Sequence, residues 1–206
     1  MGQVGAAIVT SKLLQRFRPK LIVMPGICAG ISDSTNIGDV IVGEECWAWD
    51  TGKLVGEQNG GLLQSGFQPA PHSYKADDFL ISRFREMCAD NGNMNNLEFG
   101  WRGMRPEQPP TLRVGPIATG SSVIANSNIR ELIRSINRKT LAVEMEAYAV
   151  YATAQSYGQP SPRVLAVKSV CDHADDFKND NWQQYCAFLS AKTIEAWLLK
   201  FGCDLD

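Results

Sequence analysis

Two carboxylates inside an apolar run are the residues of this chain whose chemistry most needs explaining. Glu144 and Glu146 flank Met145, and the rest of the run 141–150 is apolar, aromatic or small. Acidic side chains are rarely buried unless a partner compensates their charge. That partner is either a cationic side chain or a ligand rich in hydroxyl groups, and the adjacent hydroxyls of a ribose suit a carboxylate acceptor. The alternative is a helix that begins at Glu144, where the helix dipole favours negative charge.

A third acid follows a segment that is predicted to be a buried strand. The segment 163–170 is mainly apolar, and Asp172 comes two residues after it. Open α/β sheets bind ligands beyond the carboxyl ends of their strands, so Asp172 is predicted to belong to a binding site. The alternative is that Asp172 caps the turn that follows it. His173 is predicted to be a turn residue rather than an acid or base.

Small residues follow another predicted strand, over 19–24. A proline and a glycine interrupt its apolar pattern, and 25–30 is predicted to form a tight turn. Because small residues let a ligand approach the backbone closely, we expect Gly26, Cys28 and Ala29 to contact a ligand.

Four motifs, in their order along the chain, resemble those of the purine nucleoside phosphorylase and methylthioadenosine/adenosylhomocysteine nucleosidase superfamily. They are the small-residue turn with the segment 38–42 (Gly-Asp-Val-Ile-Val), then 115–124, 143–147 (Val-Glu-Met-Glu-Ala) and 171–175. The resemblance runs from about Gly2 to the end of the chain. Each motif is weak alone, but four motifs in the family's order make the resemblance specific.

The resemblance implies roles for the residues of these motifs. Asp172 matches the aspartate that contacts the base and whose protonated carboxyl supplies a proton or hydrogen bond to the purine N7. Glu146 matches the glutamate that binds the ribose, and Met145 is expected to pack on the sugar. Val123 and Ile124 belong to the base pocket. Nucleosidases of the superfamily often have an aromatic side chain at the position of Val123, so stacking on the base is expected to be weaker here.

Glu144 and Lys168 are also predicted to belong to the substrate-binding residues. Glu144 is expected to have a supporting role, in a salt bridge with Lys168 or with Arg138. Lys168 lies four residues before the aspartate, where related nucleosidases carry an arginine. A structural ion pair and a direct substrate contact are therefore both open for Lys168.

Two positions distinguish hydrolysis from phosphorolysis. Bacterial trimeric or hexameric phosphorylases hold phosphate with an arginine two residues before the turn glycine and a serine just after it. Met24 and Ile27 occupy these positions here, and neither can bind an anion. The resemblance therefore implies a purine nucleoside or nucleotide N-ribohydrolase that needs no cofactor. The alternatives are a phosphorylase that holds phosphate with other groups, and a non-catalytic module for nucleoside binding or oligomerisation.

The start of the chain departs from the family. In the family a strand precedes the helix that here begins near Gly2, and in nucleosidases that strand is followed by a glutamate that activates water. We expect this chain to be truncated at its N-terminus, to lack the water-activating acid and to leave an unpaired sheet edge. The resemblance also implies a homodimer or higher homo-oligomer, and fusion to signalling modules in a longer protein.

Length and composition are typical of one compact domain. The chain has 206 residues, of which 44% are hydrophobic. We predict a single domain over 1–206, in which 47–110 is an elaborated excursion with too few apolar residues for a core of its own.

The composition argues against several function classes. A net charge of −2 gives no reason to expect a nucleic acid or membrane partner. No apolar run approaches the ~20 residues of a membrane span, and the start lacks a signal-peptide core, so we predict a cytoplasmic protein. Two histidines without ligand spacing predict that there is no metal site. Six cysteines without a CxxC motif predict free thiols.

Apolar periodicity predicts an α/β protein. Because strands and helices alternate, the expected architecture is a three-layer α/β/α sandwich with a mixed, mainly parallel central sheet, like that of nucleoside phosphorylases. The predicted strands are 21–24, 39–46, 111–118 and 163–170, and the predicted helices are 4–17, 76–90, 129–136, 144–156 and 182–201.

Overall fold

The computed structural model describes residues 2–54, 66–89, 97–176 and 180–205. It has a mixed α/β fold with a central sheet. The strands are β1 (Leu21–Gly30), β2 (Val40–Ala48), β3 (Gly52–Leu54), β4 (Phe67–Pro69), β5 (Ser73–Lys75), β6 (Leu112–Thr119), β7 (Ala142–Glu144) and β8 (Arg163–Asp172). The helices are α1 (Gly2–Phe17), α2 (Asp78–Ala89), α3 (Ser127–Ile136), α4 (Ala147–Gln155) and α5 (Gln183–Phe201), and a short 3-10 turn covers Gly202–Leu205. None of these helices is both long and apolar enough to span a membrane.

The central sheet has the strand order β5-β2-β6-β7-β1-β8. Its long ladders, β1–β8 and β2–β6, are parallel, as is the short β6–β7 ladder. The antiparallel ladders β1–β7, β2–β5 and β2–β8 are short. The predicted mixed sheet with mainly parallel pairing is therefore confirmed, while the three-layer arrangement stays a prediction. Because β2 also pairs with β8, the pairings of β2, β6, β7, β1 and β8 form a closed circuit, which the sequence did not indicate.

β1 continues through the segment that was predicted to be a turn. Pro25 and Gly26 lie in the parallel ladder opposite Val167 and Lys168, so the predicted turn at 25–30 is wrong. A proline is tolerated here because its nitrogen faces the other edge of β1, away from β8. Its missing N–H therefore removes no hydrogen bond from the β1–β8 ladder. Among the described residues, that other edge of β1 pairs only at Ala29 and Gly30, with β7. The expectation that a missing strand accounts for this stays a prediction.

The excursion 47–110 contributes to the main body of the protein. β5 pairs with β2, and α2 buries Leu80, Phe84 and Met87 in the core that also covers β2 and β8. Part of the excursion, at 55–65 and 90–96, lies outside the described residues. The predicted helix 76–90 corresponds to α2, which begins two residues later.

Tyr151 ties α4 to the sheet. The side chain is fully buried, and its hydroxyl donates to the carbonyl of Gly43 on β2 at 2.7 Å. The same hydroxyl accepts the N–H of Ala166 on β8 at 2.9 Å. Burial raises the pKa of Tyr151 well above its ordinary value, so the hydroxyl keeps the proton that it donates.

Asp39 anchors the start of β2 to the start of β6. This side chain is fully buried. Its carboxylate accepts hydrogen bonds from the backbone N–H of Asn36 at 3.0 Å and from the N–H and hydroxyl of Thr111 at 2.9 and 2.7 Å. Nε of Arg113 completes the set, 3.0 Å from Oδ2.

Replacing this acid tests how strongly the anchor stabilises the fold. We expect Asp39→Ala to lower the free energy of unfolding by about 3–5 kcal/mol, because it leaves buried donors and Arg113 without their acceptor. Urea denaturation measures the change. Asp33→Ala is the matched control, since Asp33 also pairs with arginines but its side chain is 71% exposed, and its effect should be much smaller. Equal losses in the two variants would contradict the prediction.

Candidate active site

A cleft of about 270 Å³ opens at the carboxyl ends of β1 and β8. It is bounded by the end of β1, the loop after β6, β7 with the two residues that follow it, the end of β8 and the first residue of α5. The lining residues are Ile27, Cys28, Ala29, Ser122, Val123, Ile124, Val143, Glu144, Met145, Glu146, Cys171, Asp172 and Gln183.

Most of the residues predicted from the sequence meet in this cleft. Those that line it are Cys28, Ala29, Val123, Ile124, Glu144, Met145, Glu146 and Asp172, whereas Gly26 and Lys168 do not. The sequence interpretation missed Ile27, Ser122, Val143, Cys171 and Gln183. All of these except Gln183 are adjacent in sequence to a predicted site residue, and this adjacency could have identified them. Gln183 carries no such signal, because its position depends on how α5 packs on the sheet.

Glu144 ends β7 and caps the start of α4. Its Oε1 accepts the hydroxyl of Thr119 at 2.6 Å and the N–H of Ala147 at 2.9 Å. Its Oε2 accepts the N–H of Glu146 at 3.0 Å. The negative charge thus lies at the amino end of α4, where the helix dipole favours it. The predicted helix start at Glu144 is wrong, because these bonds hold Glu144 at the end of the strand and α4 begins at Ala147.

Lys168 supplies the counter-charge of Glu144. Its Nζ lies 3.0 Å from Oε2, and both side chains are 3% exposed. This pairing confirms the predicted salt bridge, with Lys168 rather than Arg138. Lys168 lies over Gly26, where an added β-carbon would come within 3.1 Å of Nζ. The missing side chain of Gly26 therefore leaves room for the lysine rather than opening the backbone to the cleft.

Glu146 lies at the mouth of the cleft, at the cap position of α4, and is half-buried. The backbone N–H of Gly2 donates to its Oε1 at 3.0 Å. The side-chain amide of Gln3 lies 3.5 Å from the hydroxyl of Ser121, in the loop that borders the cleft. The beginning of α1 therefore holds the carboxylate that is predicted to bind the ribose.

Asp172 lies at the floor of the cleft and is 6% exposed. Its Oδ1 accepts the N–H of Ala174 at 2.9 Å, and the thiol of Cys171 donates to Oδ2 at 3.5 Å. The alternative interpretation, that Asp172 caps the turn that follows it, is thus also correct, because one carboxyl oxygen accepts an N–H from that turn. His173 belongs to that turn and does not line the cleft.

The loop 120–126, which follows β6, forms another wall of the cleft. Its start is held by the N–H of Ser121, which donates to Asp50 at 2.8 Å. Its end is held by Asn126, whose side chain accepts two backbone N–H groups and so caps α3. Between these anchors Val123 is 64% exposed and Ile124 is buried. The wall therefore consists of Ser122 and two aliphatic side chains and carries no aromatic ring at position 123.

Cys28 contributes an apolar surface rather than a nucleophile. Burial raises the pKa of its thiol well above the ordinary value, and the neighbouring Cys171 raises it further. The protonated thiol is a poor nucleophile. Among the described residues, no group of three or more histidine, cysteine, aspartate or glutamate side chains could hold a metal ion.

Removing the lysine tests whether the ion pair organises this site. We expect Lys168→Met to lower the free energy of unfolding by about 3–5 kcal/mol, because the carboxylate of Glu144 stays buried without its cation. The double variant Lys168→Met/Glu144→Gln should recover part of the loss, since the amide is neutral and still accepts N–H groups. Urea denaturation of the four proteins of this cycle gives the coupling. Additive losses would show that the two side chains act independently.

Comparisons with known protein sequences identify relatives of this chain. The model of the Phosphorylase superfamily matches residues 1–197. The uncharacterized protein y4jS of Sinorhizobium fredii is 33% identical over 191 residues, which are 93% of this chain and 45% of that protein. The 5′-methylthioadenosine/S-adenosylhomocysteine nucleosidase of Staphylococcus aureus is 25% identical over 197 residues, 95% of this chain and 77% of that enzyme. The ATP nucleosidase Cap17 of Escherichia coli is 27% identical over 217 aligned positions, 98% of this chain and 40% of Cap17.

Solved structures share the fold. The 5′-methylthioadenosine/S-adenosylhomocysteine nucleosidase of Neisseria meningitidis, in complex with methylthio-immucillin-A, superposes with a TM-score of 0.73 at 24% identity, covering 96% of this chain and 77% of that one. Futalosine hydrolase of Helicobacter pylori gives a TM-score of 0.73 at 18% identity, covering 97% and 76%. Since the family model spans nearly the whole sequence, this chain belongs to the phosphorylase superfamily.

Proposed function

We propose that this chain is the catalytic domain of an N-ribohydrolase that cleaves the glycosidic bond of a purine nucleoside or nucleotide. The observation that carries the proposal is the meeting of Asp172, Glu146 and Met145 in one cleft. These residues come from the ends of two different strands and match the base-contacting and ribose-contacting positions of the superfamily. The relatives that are named nucleosidases support hydrolysis as the reaction class.

The chemistry of the reaction needs groups on both sides of the bond that breaks. As the N-glycosidic bond lengthens, the sugar gains oxocarbenium character and the departing base gains negative charge. Protonated Asp172 donates to N7 of the purine and so stabilises the departing base. Glu146 accepts hydrogen bonds from the ribose hydroxyls, and Met145 packs on the sugar. Water adds to the anomeric carbon, and its activation is assigned to none of the described cleft residues.

The lining of the cleft favours water over phosphate as the second reactant. Among the described lining residues there is no lysine or arginine, and Ile27 occupies the wall where phosphorylases have a serine. Lys168 is buried close to Glu144 and is paired with it. Phosphate binding requires several charge-assisted donors, which this wall does not offer.

Exposed apolar side chains on α1 support the proposal that the protein is a homodimer or a larger homo-oligomer. Large apolar side chains of this helix are at least half exposed, namely Val4, Ile8, Val9 and Phe17. Large exposed apolar side chains are found at interfaces when they form a patch. Since α1 begins beside Glu146, a second copy packed on α1 would border the cleft.

All six cysteines are free thiols, which supports a place in the reducing cytoplasm.

Release of free base tests the proposed reaction. The full-length protein is incubated with adenosine, methylthioadenosine, inosine, AMP and ATP, with and without phosphate, and the products are separated by chromatography. We expect free base at a rate that does not depend on phosphate. Asp172→Asn should lower this rate by about 10²–10⁴-fold, because the amide cannot protonate N7. Phosphate-dependent release would instead identify a phosphorylase, and full activity of Asp172→Asn would remove the assigned mechanism.

The ribose contact of Glu146 is tested by binding. We expect Glu146→Gln to weaken nucleoside binding by roughly 1.5–3 kcal/mol, through loss of charge-assisted hydrogen bonds to the hydroxyls. Isothermal titration with a non-hydrolysable nucleoside analogue gives the difference. Free adenine, which has no ribose, is the matched control ligand, and its affinity should stay unchanged. Equal weakening for both ligands would assign Glu146 a structural role instead.

A further inference from the structure

A clamp from outside the cleft holds the start of the wall loop 120–126. The clamp consists of two consecutive residues that follow β2, Trp49 and Asp50. Oδ2 of Asp50 accepts the backbone N–H of Ser121 at 2.8 Å. The backbone N–H of Trp49 donates to the carbonyl of Thr119, the last residue of β6, at 3.1 Å. These two hydrogen bonds fix the chain where it leaves β6 and enters the loop.

The indole ring of Trp49 packs on the first residue of the loop, Gly120. A β-carbon added to this glycine would lie 2.6 Å from Cε2 of the ring, so the ring and a side chain at position 120 could not both keep their places. Nε1 of Trp49 is buried and has no hydrogen-bond partner among the residues that the structure describes. The ring therefore acts on the loop through packing rather than through its polar atom.

Further anchors of the loop come from the candidate site itself. The backbone N–H of Gly120 donates to the carbonyl of Glu144 at 3.1 Å, and the backbone N–H of Asn126 donates to the carbonyl of Ala174 at 3.2 Å. Ala174 belongs to the turn that Asp172 caps. Trp49 and Asp50, in contrast, do not line the cleft. The clamp therefore ties the loop to a part of the chain that lies outside the site.

The wall depends on a fixed position because its two apolar side chains are aliphatic. Val123 offers no ring that could stack on a base, and Ile124 beside it is also aliphatic. Dispersion contacts are short-ranged, so a gap of about 1 Å already forfeits up to about half of their energy. A loop that is ordered before the ligand arrives also spares binding the cost of ordering it.

We propose that Trp49 and Asp50 are positioning residues for the base, which hold the loop 120–126 where Val123 and Ile124 contact a purine. The inference rests on the proposed function, which places a purine in this cleft. It assigns a role to the segment after β2, whose side chains act on the substrate only through the loop.

The test separates the hydrogen bond of Asp50 from its charge and from general stability. Asp50→Ala removes the acceptor, whereas Asp50→Asn keeps an acceptor oxygen and loses only the charge. Trp49→Ala removes the ring that packs on the loop. Asp77→Ala is the matched control, since Asp77 also accepts backbone N–H groups, but at the start of α2. Its ion-pair partner is Arg163, at the end of β8 that lies opposite to Asp172.

Two properties of each full-length variant are measured. Hydrogen–deuterium exchange with mass spectrometry reports how readily the peptide that contains 120–126 opens. Isothermal titration with adenine gives the affinity for a base, and turnover of methylthioadenosine gives kcat and KM. Thermal unfolding is recorded for all variants.

We expect Asp50→Ala and Trp49→Ala to speed exchange in 120–126 and to weaken adenine binding by about three- to tenfold, because only a fraction of the molecules then has the loop in place. KM should rise by a similar factor while kcat stays within about twofold, since the groups that contact the reacting atoms are unchanged. Asp50→Asn should stay within about twofold of the wild type in affinity and in KM. Asp77→Ala should lower the melting temperature and leave both the exchange in 120–126 and the adenine affinity unchanged.

Three results would overturn the inference. The first is unchanged exchange and affinity in Asp50→Ala, and the second is an equal loss in Asp50→Asn, which would assign the effect to the charge. The third is an equal loss of affinity in Asp77→Ala, which would assign it to general stability. Failure of the proposed function is visible separately, in the wild type: a protein that neither binds adenine nor releases base has no purine in this cleft. The positioning role is then also wrong, even where exchange shows that the clamp orders the loop.

Discussion

The arrangement of the site depends on one buried charge, the carboxylate of Glu144. A buried carboxylate is strongly destabilising unless cations and hydrogen-bond donors compensate it. Here the compensation comes from Thr119 at the end of β6, Lys168 on β8 and the N–H groups at the start of α4. Meeting all of these partners requires the chain to turn from strand to helix within two residues. That turn presents Met145 and Glu146 to the cleft.

The sequence predicted those features of the site that follow from residue type. An acid in an apolar run requires a partner, which predicted a salt bridge of Glu144 with Lys168 or Arg138, and an acid after a buried strand predicted that Asp172 belongs to a binding site. The elements that were wrong are those in which tertiary pairing overrides local preference. Pro25 and Gly26 favour a turn, yet their pairing with β8 keeps them in a strand. β7 has three residues, too few for a periodic pattern, so the sequence alone favours a helix start at its end.

The acids of the cleft differ in what compensates them, and this difference separates their roles. Glu144 is neutralised by a lysine and is structural in its contacts. Asp172 accepts a backbone N–H and a thiol among its contacts. Glu146 is anchored on one oxygen by the N–H of Gly2. The sequence distinguishes none of these environments, because the donors come from segments far apart along the chain.

Gly26 and Lys168 show how residues outside the cleft act on it. Both were predicted to bind substrate, and neither lines the cleft. Gly26 leaves the space that Lys168 occupies, and Lys168 in turn allows Glu144 to stay charged while buried. A side chain at position 26 would place its β-carbon 3.1 Å from Nζ, so the end of the lysine would have to shift by a few tenths of an ångström. Gly26 therefore acts on the site indirectly. It leaves room for the lysine that pairs with Glu144, and Glu144 holds the connection from β7 to α4.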